Sequence, residues 1–173
     1  MGKTAFIYPG QGAQKSGMGK DFYDAFPVAK AIFDKADEIL DVSVTELCFT
    51  EDERLNQTAY TQPALVTTCL AIAAVLEEKG IRPDVTAGLS LGEYAAIATA
   101  GGFSAEEAMR AVRARGVFME EAVPDGKGAM AAVLGMEVSQ IEKVLSKIEG
   151  AYIANYNCPG QIVITGMKEA IDK

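Results

Sequence analysis

TAGLSLGEYAA, residues 86–96, sets a serine between two glycines in the pattern glycine-x-serine-x-glycine. That pattern spells a nucleophile elbow, where a strand turns sharply into a helix and presents a serine hydroxyl. The flanks agree: DVTAGLS (84–90) reads as a short strand, and LGEYAAIATA (91–100) as a helix stopped by Gly101-Gly102. A helix starting beside Ser90 brings backbone N–H groups and a positive dipole end to the hydroxyl. Those groups stabilise an oxyanion developing in acyl transfer. The alternative is a Gly-Ser turn that merely caps the helix, with Glu93 completing a capping box. A serine hydroxyl also needs a base to become a nucleophile, and the usual base is histidine. The chain of 173 residues has no histidine.

Outward from the elbow, strands and helices alternate. TAFIYPG (4–10) reads as a buried strand stopped by Pro9-Gly10, and a glycine-rich polar loop, QGAQKSGMG (11–19), follows it. Residues 27–40 open with a proline suited to a first helical turn and put Ile32, Phe33, Ala36, Ile39 and Leu40 on one face. Residues 61–79 predict a largely buried helix with Thr61 as N-cap, Pro63 in the first turn and Gly80 at the end. Ser104 and Glu107 form a capping box that starts a helix running to about Ala122. This order predicts an α/β fold with a mainly parallel sheet.

The character changes after VPDGKG (123–128). AMAAVLG (129–135) is a strand, SQIEKVLSKIEG (139–150) an amphipathic helix, and AYIANYN (151–157) and QIVITG (161–166) are strands split by a Cys158-Pro159-Gly160 turn. MKEAIDK (167–173) begins another helix. Strand, helix, strand, strand, helix is a ferredoxin-like unit without its last strand. The expected division is therefore 1–126 and 127–173, with the chain stopping inside a motif.

Composition narrows the function classes. A net charge of −8 argues against an extended nucleic-acid surface, which needs clustered lysine and arginine. The apolar runs fall short of the roughly 20 residues that span a bilayer, and the N-terminus does not spell a secretory signal. Cys48, Cys69 and Cys158 are odd in number and far apart, which suits a reducing cytoplasm better than a disulfide framework or a metal site.

Two further features point to chemistry. On the helix from Ser104, the residues Ala108, Val112, Met119 and Ala122 share a stripe with Arg115 near its centre, opposite Glu106, Arg110 and Glu121. An arginine in an apolar stripe must be paired. Its partner is either a structural carboxylate or the carboxylate of a substrate, which a guanidinium fork grips well. YPGQGAQ (8–14) lets backbone amides approach a ligand closely, yet it matches neither a P-loop nor a dinucleotide fingerprint. An ordinary surface turn is its other reading.

Together FIYPGQGAQKSGMG, YTQPAL, AGLSLGEYAA, RARGVFMEEAVPDGKGAMAAVLG and NYNCPGQIVITG resemble the malonyl-CoA:acyl-carrier-protein transacylase family of bacterial fatty-acid synthesis. The wider group is the acyltransferases of fatty-acid and polyketide synthases, and the resemblance covers essentially the whole chain. It implies a parallel-sheet, α/β-hydrolase-like acyltransferase domain carrying an inserted ferredoxin-like subdomain, here incomplete. It implies Ser90 as the acyl-carrying nucleophile, Arg115 as the ligand of the malonyl carboxylate, and the backbone N–H groups of Gln11 and Leu91 as the oxyanion hole. Gln62 and Asn157 match positions lining the site. Malonyl-CoA and acyl carrier protein would be substrate and partner, with no metal or other cofactor, no nucleic acid and no membrane. The family commonly has histidine before the nucleophile, where this chain has Leu89, though some members share that departure. Family members are longer, and their catalytic histidine follows the small subdomain, so the missing C-terminal portion is expected to be needed for activity. Rival readings are a serine esterase or thioesterase, which has no need of Arg115, and an inactive or regulatory fragment, which the absence of histidine favours.

Overall fold

The computed structural model describes residues 2–123 and 127–173, so part of the link at 123–128 lies outside the described residues. Backbone contacts divide the chain into two compact units, Met1–Glu120 and Glu121–Lys173.

The first unit begins with β1 (Ala5–Tyr8), then α1 (Lys20–Ala25), α2 (Pro27–Ile39), α3 (Val44–Phe49), a 3-10 turn (Glu53–Asn56) and α4 (Thr58–Glu78). It closes with β2 (Val85–Gly88), α5 (Gly92–Thr99) and α6, whose full extent is Ala105–Ala122. β1 and β2 pair in parallel, with Ala5 opposite Val85 and Tyr8 opposite Gly88. A parallel pair needs a crossover between its strands, and α1 to α4 supply it.

α4 organises this unit. It is apolar on every side, the signature of a helix buried all round. By length and a mean hydropathy of 1.5 it could cross a bilayer. Instead its buried residues, from Ala59 to Val75, form the centre of the core. Phe33 and Ala36 of α2, Val44 and Cys48 of α3, Ala95 and Ala96 of α5, and Ala108, Met109 and Val112 of α6 complete that core.

Three sequence expectations need correction here. α4 starts at Thr58, not at a Thr61 cap: the Thr61 hydroxyl donates to the carbonyls of Leu55 and Gln57, at 2.6 and 3.0 Å, so it anchors the preceding turn. Pro63 consequently lies inside the helix and not in its first turn. β1 is also less buried than expected. Phe6 and Tyr8 face the core, whereas Ile7 is 78% exposed, because successive strand residues point to opposite faces and no described element covers the second face.

The second unit contains β3 (Gly128–Leu134), α7 (Val138–Leu145), β4 (Ala151–Cys158), β5 (Gln161–Met167) and α8 (Lys168–Ile171). Its sheet has the order β3-β5-β4, and β5 runs antiparallel to both neighbours. α7 is shorter than the 139–150 expectation. It stops at Leu145, and turn hydrogen bonds then carry Lys147 to Val144 and Ile148 to Leu145. Gly166 is held to glycine by closeness, since a Cβ there would lie 2.1 Å from the Gly150 carbonyl oxygen.

Candidate active site

β1 and β2 end side by side, so the loop at Pro9–Gln11 and the turn at Leu89–Leu91 leave the same edge of the sheet. Ligand sites of parallel sheets form at this carboxyl end. The Leu89 N–H donates to the Tyr8 carbonyl at 3.1 Å, tying the two exits together.

The glycines of the serine motif are demanded by distance. A Cβ on Gly88 would lie 2.1 Å from the Gly92 carbonyl, and one on Gly92 would lie 2.4 Å from the Tyr8 carbonyl oxygen. A Cβ on Gly10 would come within 2.9 Å of the Leu89 oxygen. All three obstacles include backbone, so no rotamer change relieves them. Between the glycines Ser90 is forced to φ 50°, the one positive φ at a non-glycine among the described residues. Such left-handed backbone is strained for an L-residue, and it is how an elbow lifts its hydroxyl clear of the chain.

That hydroxyl does not cap α5. Ser90 Oγ accepts a hydrogen bond from Arg115 Nη2 at 3.1 Å, and Glu93 meets Ser90 only through its backbone N–H. The amides of Gln11 and Leu91 donate to no other protein group among the described residues. Leu91 N–H opens the first turn of α5, where the helix dipole favours negative charge.

Arg115 reaches the serine from α6. The buried face of α6 is Ala108, Met109, Val112 and Gly116, whereas Met119 is 44% exposed and Ala122 exposed. The apolar stripe read from the sequence is thus rotated, because one of its buried positions is a glycine, which hydrophobic periodicity does not count. Arg115 sits half-buried on the flank of that face, not at its centre. Its guanidinium lies 5.8 Å from the Tyr94 ring centre, and among the described residues it has no carboxylate within salt-bridge distance. Of the two partners the sequence allowed, the structural ion pair is therefore not found.

Gln62 is 1% exposed on α4, with Nε2 donating to Met119 Sδ at 3.3 Å, one turn beyond Arg115 on α6. Its Oε1 is buried without a partner. Asn157 belongs to the second unit, exposed on β4, where its amide donates to Gln161 Oε1 at 3.2 Å. Among the described residues no group of three or more His, Cys, Asp or Glu is placed to hold a metal ion.

The sequence did not single out Arg113. This side chain is largely covered, and its Nε and Nη2 grip Asp41 at 2.7 and 2.8 Å, which holds the Asp41 carboxyl below its ordinary value. Its Nη1 donates to the Ala59 carbonyl at 2.9 Å. A signal existed: Pro63 within an apolar helix leaves a carbonyl four residues earlier in need of a donor.

Known proteins bear on this geometry. The sequence profile described as acyl transferase domain matches residues 5–173. Over 177 residues the chain is 50% identical to the malonyl CoA-acyl carrier protein transacylase of Bacillus subtilis strain 168, covering 99% of this chain and 56% of that protein. Among solved structures, the malonyl CoA-acyl carrier protein transacylase from Clostridium perfringens superposes with a TM-score of 0.90 at 43% identity, over 99% of this chain and 55% of that one. A malonyl-transacylase solved in complex with its type II PKS acyl-carrier protein gives 0.91 at 40% identity, over 99% and 57%. The chain spans little more than half the length of these relatives.

Proposed function

Because this chain belongs to the acyl transferase domain family, we propose that it is the nucleophile-bearing part of a malonyl-CoA:acyl-carrier-protein transacylase of fatty-acid synthesis. The observation that carries this reading is Arg115 Nη2 at 3.1 Å from Ser90 Oγ, with no protein carboxylate claiming the guanidinium among the described residues. In a malonyl group one methylene separates the thioester carbonyl from the free carboxylate. A cation beside the attacking oxygen is therefore at the right range to hold that carboxylate by charge-assisted hydrogen bonds.

In the first half-reaction Ser90 Oγ bonds to the malonyl carbonyl carbon while a base takes the hydroxyl proton. The amides of Gln11 and Leu91 receive the oxyanion, and its collapse breaks the carbon–sulfur bond, so coenzyme A leaves as the protonated thiol. In the second, the phosphopantetheine thiol of acyl carrier protein attacks the acyl-serine, and the proton returns to Ser90. Gln62 and Asn157 are the further residues that the family resemblance assigns to substrate binding. The chain has no histidine, so the base is assigned to sequence outside these 173 residues. The ferredoxin-like reading of the second unit as a subdomain inserted in the large one, at 127–173, belongs to the same proposal. So does a cytoplasmic location, which the free thiols of Cys48, Cys69 and Cys158 support.

The absence of histidine equally supports a second reading, that these residues alone are an inert or regulatory piece which binds acyl carrier protein without turnover. Arg115→Ala in the complete enzyme tests the first. A charge-assisted pair of this kind contributes about 1.5–3 kcal/mol, so malonyl transfer should fall about 10- to 150-fold more than acetyl transfer. Equal losses for both acyl groups would remove Arg115 from substrate binding and the malonyl assignment with it.

A further inference from the structure

We infer that the first turn of α4 is the reference point from which the carboxylate clamp is positioned, and that Arg113 is its positioning residue. The inference rests on the proposed role of Arg115.

Pro63 carries no N–H, so the carbonyl of Ala59 lacks the donor that a regular helix would supply. Arg113 Nη1 fills that vacancy from α6 at 2.9 Å, while the rest of its fork is anchored on Asp41. The N–H of the same Ala59 donates to Glu120 Oε2 at 3.1 Å. Between these contacts the helices touch at Gly116, where a Cβ would come within 2.9 Å of Ala59 Cα and of the Thr58 carbonyl oxygen.

Residues 113, 116 and 120 of α6 thus clasp one turn of α4, and each does so through the α4 backbone. One contact takes a carbonyl, another an amide, and the third sets the closest approach. Sliding α6 along α4 breaks the first two, and separating the helices loses the third. No side-chain rotamer of α4 gives slack.

The groups of the proposed site ride on this turn. Arg115 lies between Arg113 and Gly116, so its reach to Ser90 is set by the clasp. Gln62 follows three residues after Ala59 and touches α6 at Met119. Gln11, whose amide is an oxyanion candidate, donates from its side chain to Thr58 Oγ1 at 3.0 Å. Every nitrogen of the Arg113 guanidinium is already engaged, by Asp41 or by the Ala59 carbonyl. Its action on the reaction goes through Arg115.

The test compares malonyl and acetyl transfer to acyl carrier protein by the complete enzyme, for Arg113→Met, Arg113→Lys and Gly116→Ala, with Arg115→Ala as reference. A misplacement of about 1 Å can slow a reaction about 100-fold. Arg113→Met and Gly116→Ala should each lower kcat/KM for malonyl by roughly 10- to 100-fold on that basis, while acetyl transfer stays near wild type. Arg113→Lys, which keeps a donor for the Ala59 carbonyl, should recover much of the loss. Should Arg113→Met fail to fold, Gly116→Ala and Arg113→Lys carry the decision, since Gly116→Ala moves the helix without touching a charge. If Arg115→Ala abolishes the malonyl preference while Gly116→Ala and the Arg113 variants keep it, the positioning role is wrong and the proposed function stands. If Arg115→Ala itself keeps the preference, the clamp falls, and the positioning role with it.

Discussion

Replacing Ser90 by glycine and by alanine separates the strain of the elbow from the chemistry of its hydroxyl. Both variants lose the oxygen and the Arg115 hydrogen bond, so those losses cancel between them. What remains is the backbone. At φ 50° an L-residue pays about 1–2 kcal/mol that glycine does not. Glycine in turn loses more freedom on folding, about 0.5–1 kcal/mol relative to alanine at an ordinary helix or strand position. The centres of these two ranges predict Ser90→Gly to be more stable than Ser90→Ala by about 0.75 kcal/mol, the reverse of the usual order. Equilibrium urea unfolding reads this directly. With a slope of about 1–3 kcal/mol/M, the glycine midpoint should lie higher by about 0.25–0.75 M at unchanged slope. An alanine variant more stable than the glycine one by about 0.5–1 kcal/mol, the ordinary order, would show that the left-handed backbone carries no strain, and the account of the elbow would fail.

Other expectations concern charge and thiols. The Arg113 guanidinium, chiefly through its hydrogen bonds, holds the Asp41 carboxyl below its ordinary 3.8. The folded-state value is the depressed one. Its stabilising contribution is therefore present above the ordinary aspartate value and lost as pH falls through the folded one. The melting-temperature gap between wild type and Asp41→Asn should be widest near neutrality and narrow as pH falls through the acid range; a gap that does not narrow in acid would refute the pairing. Burial pushes the Cys48 thiol up to about 12 and the Cys69 thiol up to about 11, whereas Cys158 is exposed. Iodoacetamide at about pH 8 should alkylate Cys158 in the native protein and spare the other two until it unfolds. Peptide mapping that finds Cys48 labelled as fast as Cys158 would contradict its burial.

Much of the fold was legible because its signals are local. The capping box at Ser104 holds as read, with the Glu107 amide on Ser104 Oγ at 3.1 Å and the Ser104 amide on Glu107 Oε2 at 2.8 Å. The elbow glycines announced a strand-to-helix turn, and parallel pairing of β1 with β2 follows from the order of elements. The start of α4 was misplaced because Thr61 has the composition of a cap but spends its hydroxyl on earlier carbonyls. Ser90 and Arg115 were each visible alone. Their contact, and the part played by Arg113, depend on where α6 crosses α4, and that crossing is fixed by a glycine that periodicity ignores.

The clasp on Ala59 has a consequence for how such a sequence can change through descent. Arg113, Glu120 and Gly116 all address main-chain atoms, so the interaction does not depend on the chemistry of the side chain at position 59, which burial alone keeps small. The fragile position is Pro63, fully buried inside α4. Pro63→Ala would improve the helix by every local rule, adding an amide that competes with Arg113 for the Ala59 carbonyl. A lineage that regularised this helix would gain a hydrogen bond within α4 and loosen its hold on α6. Propensity disfavours proline in a helix interior, yet Pro63 sits there, and its missing hydrogen is what leaves the Ala59 carbonyl open to Arg113.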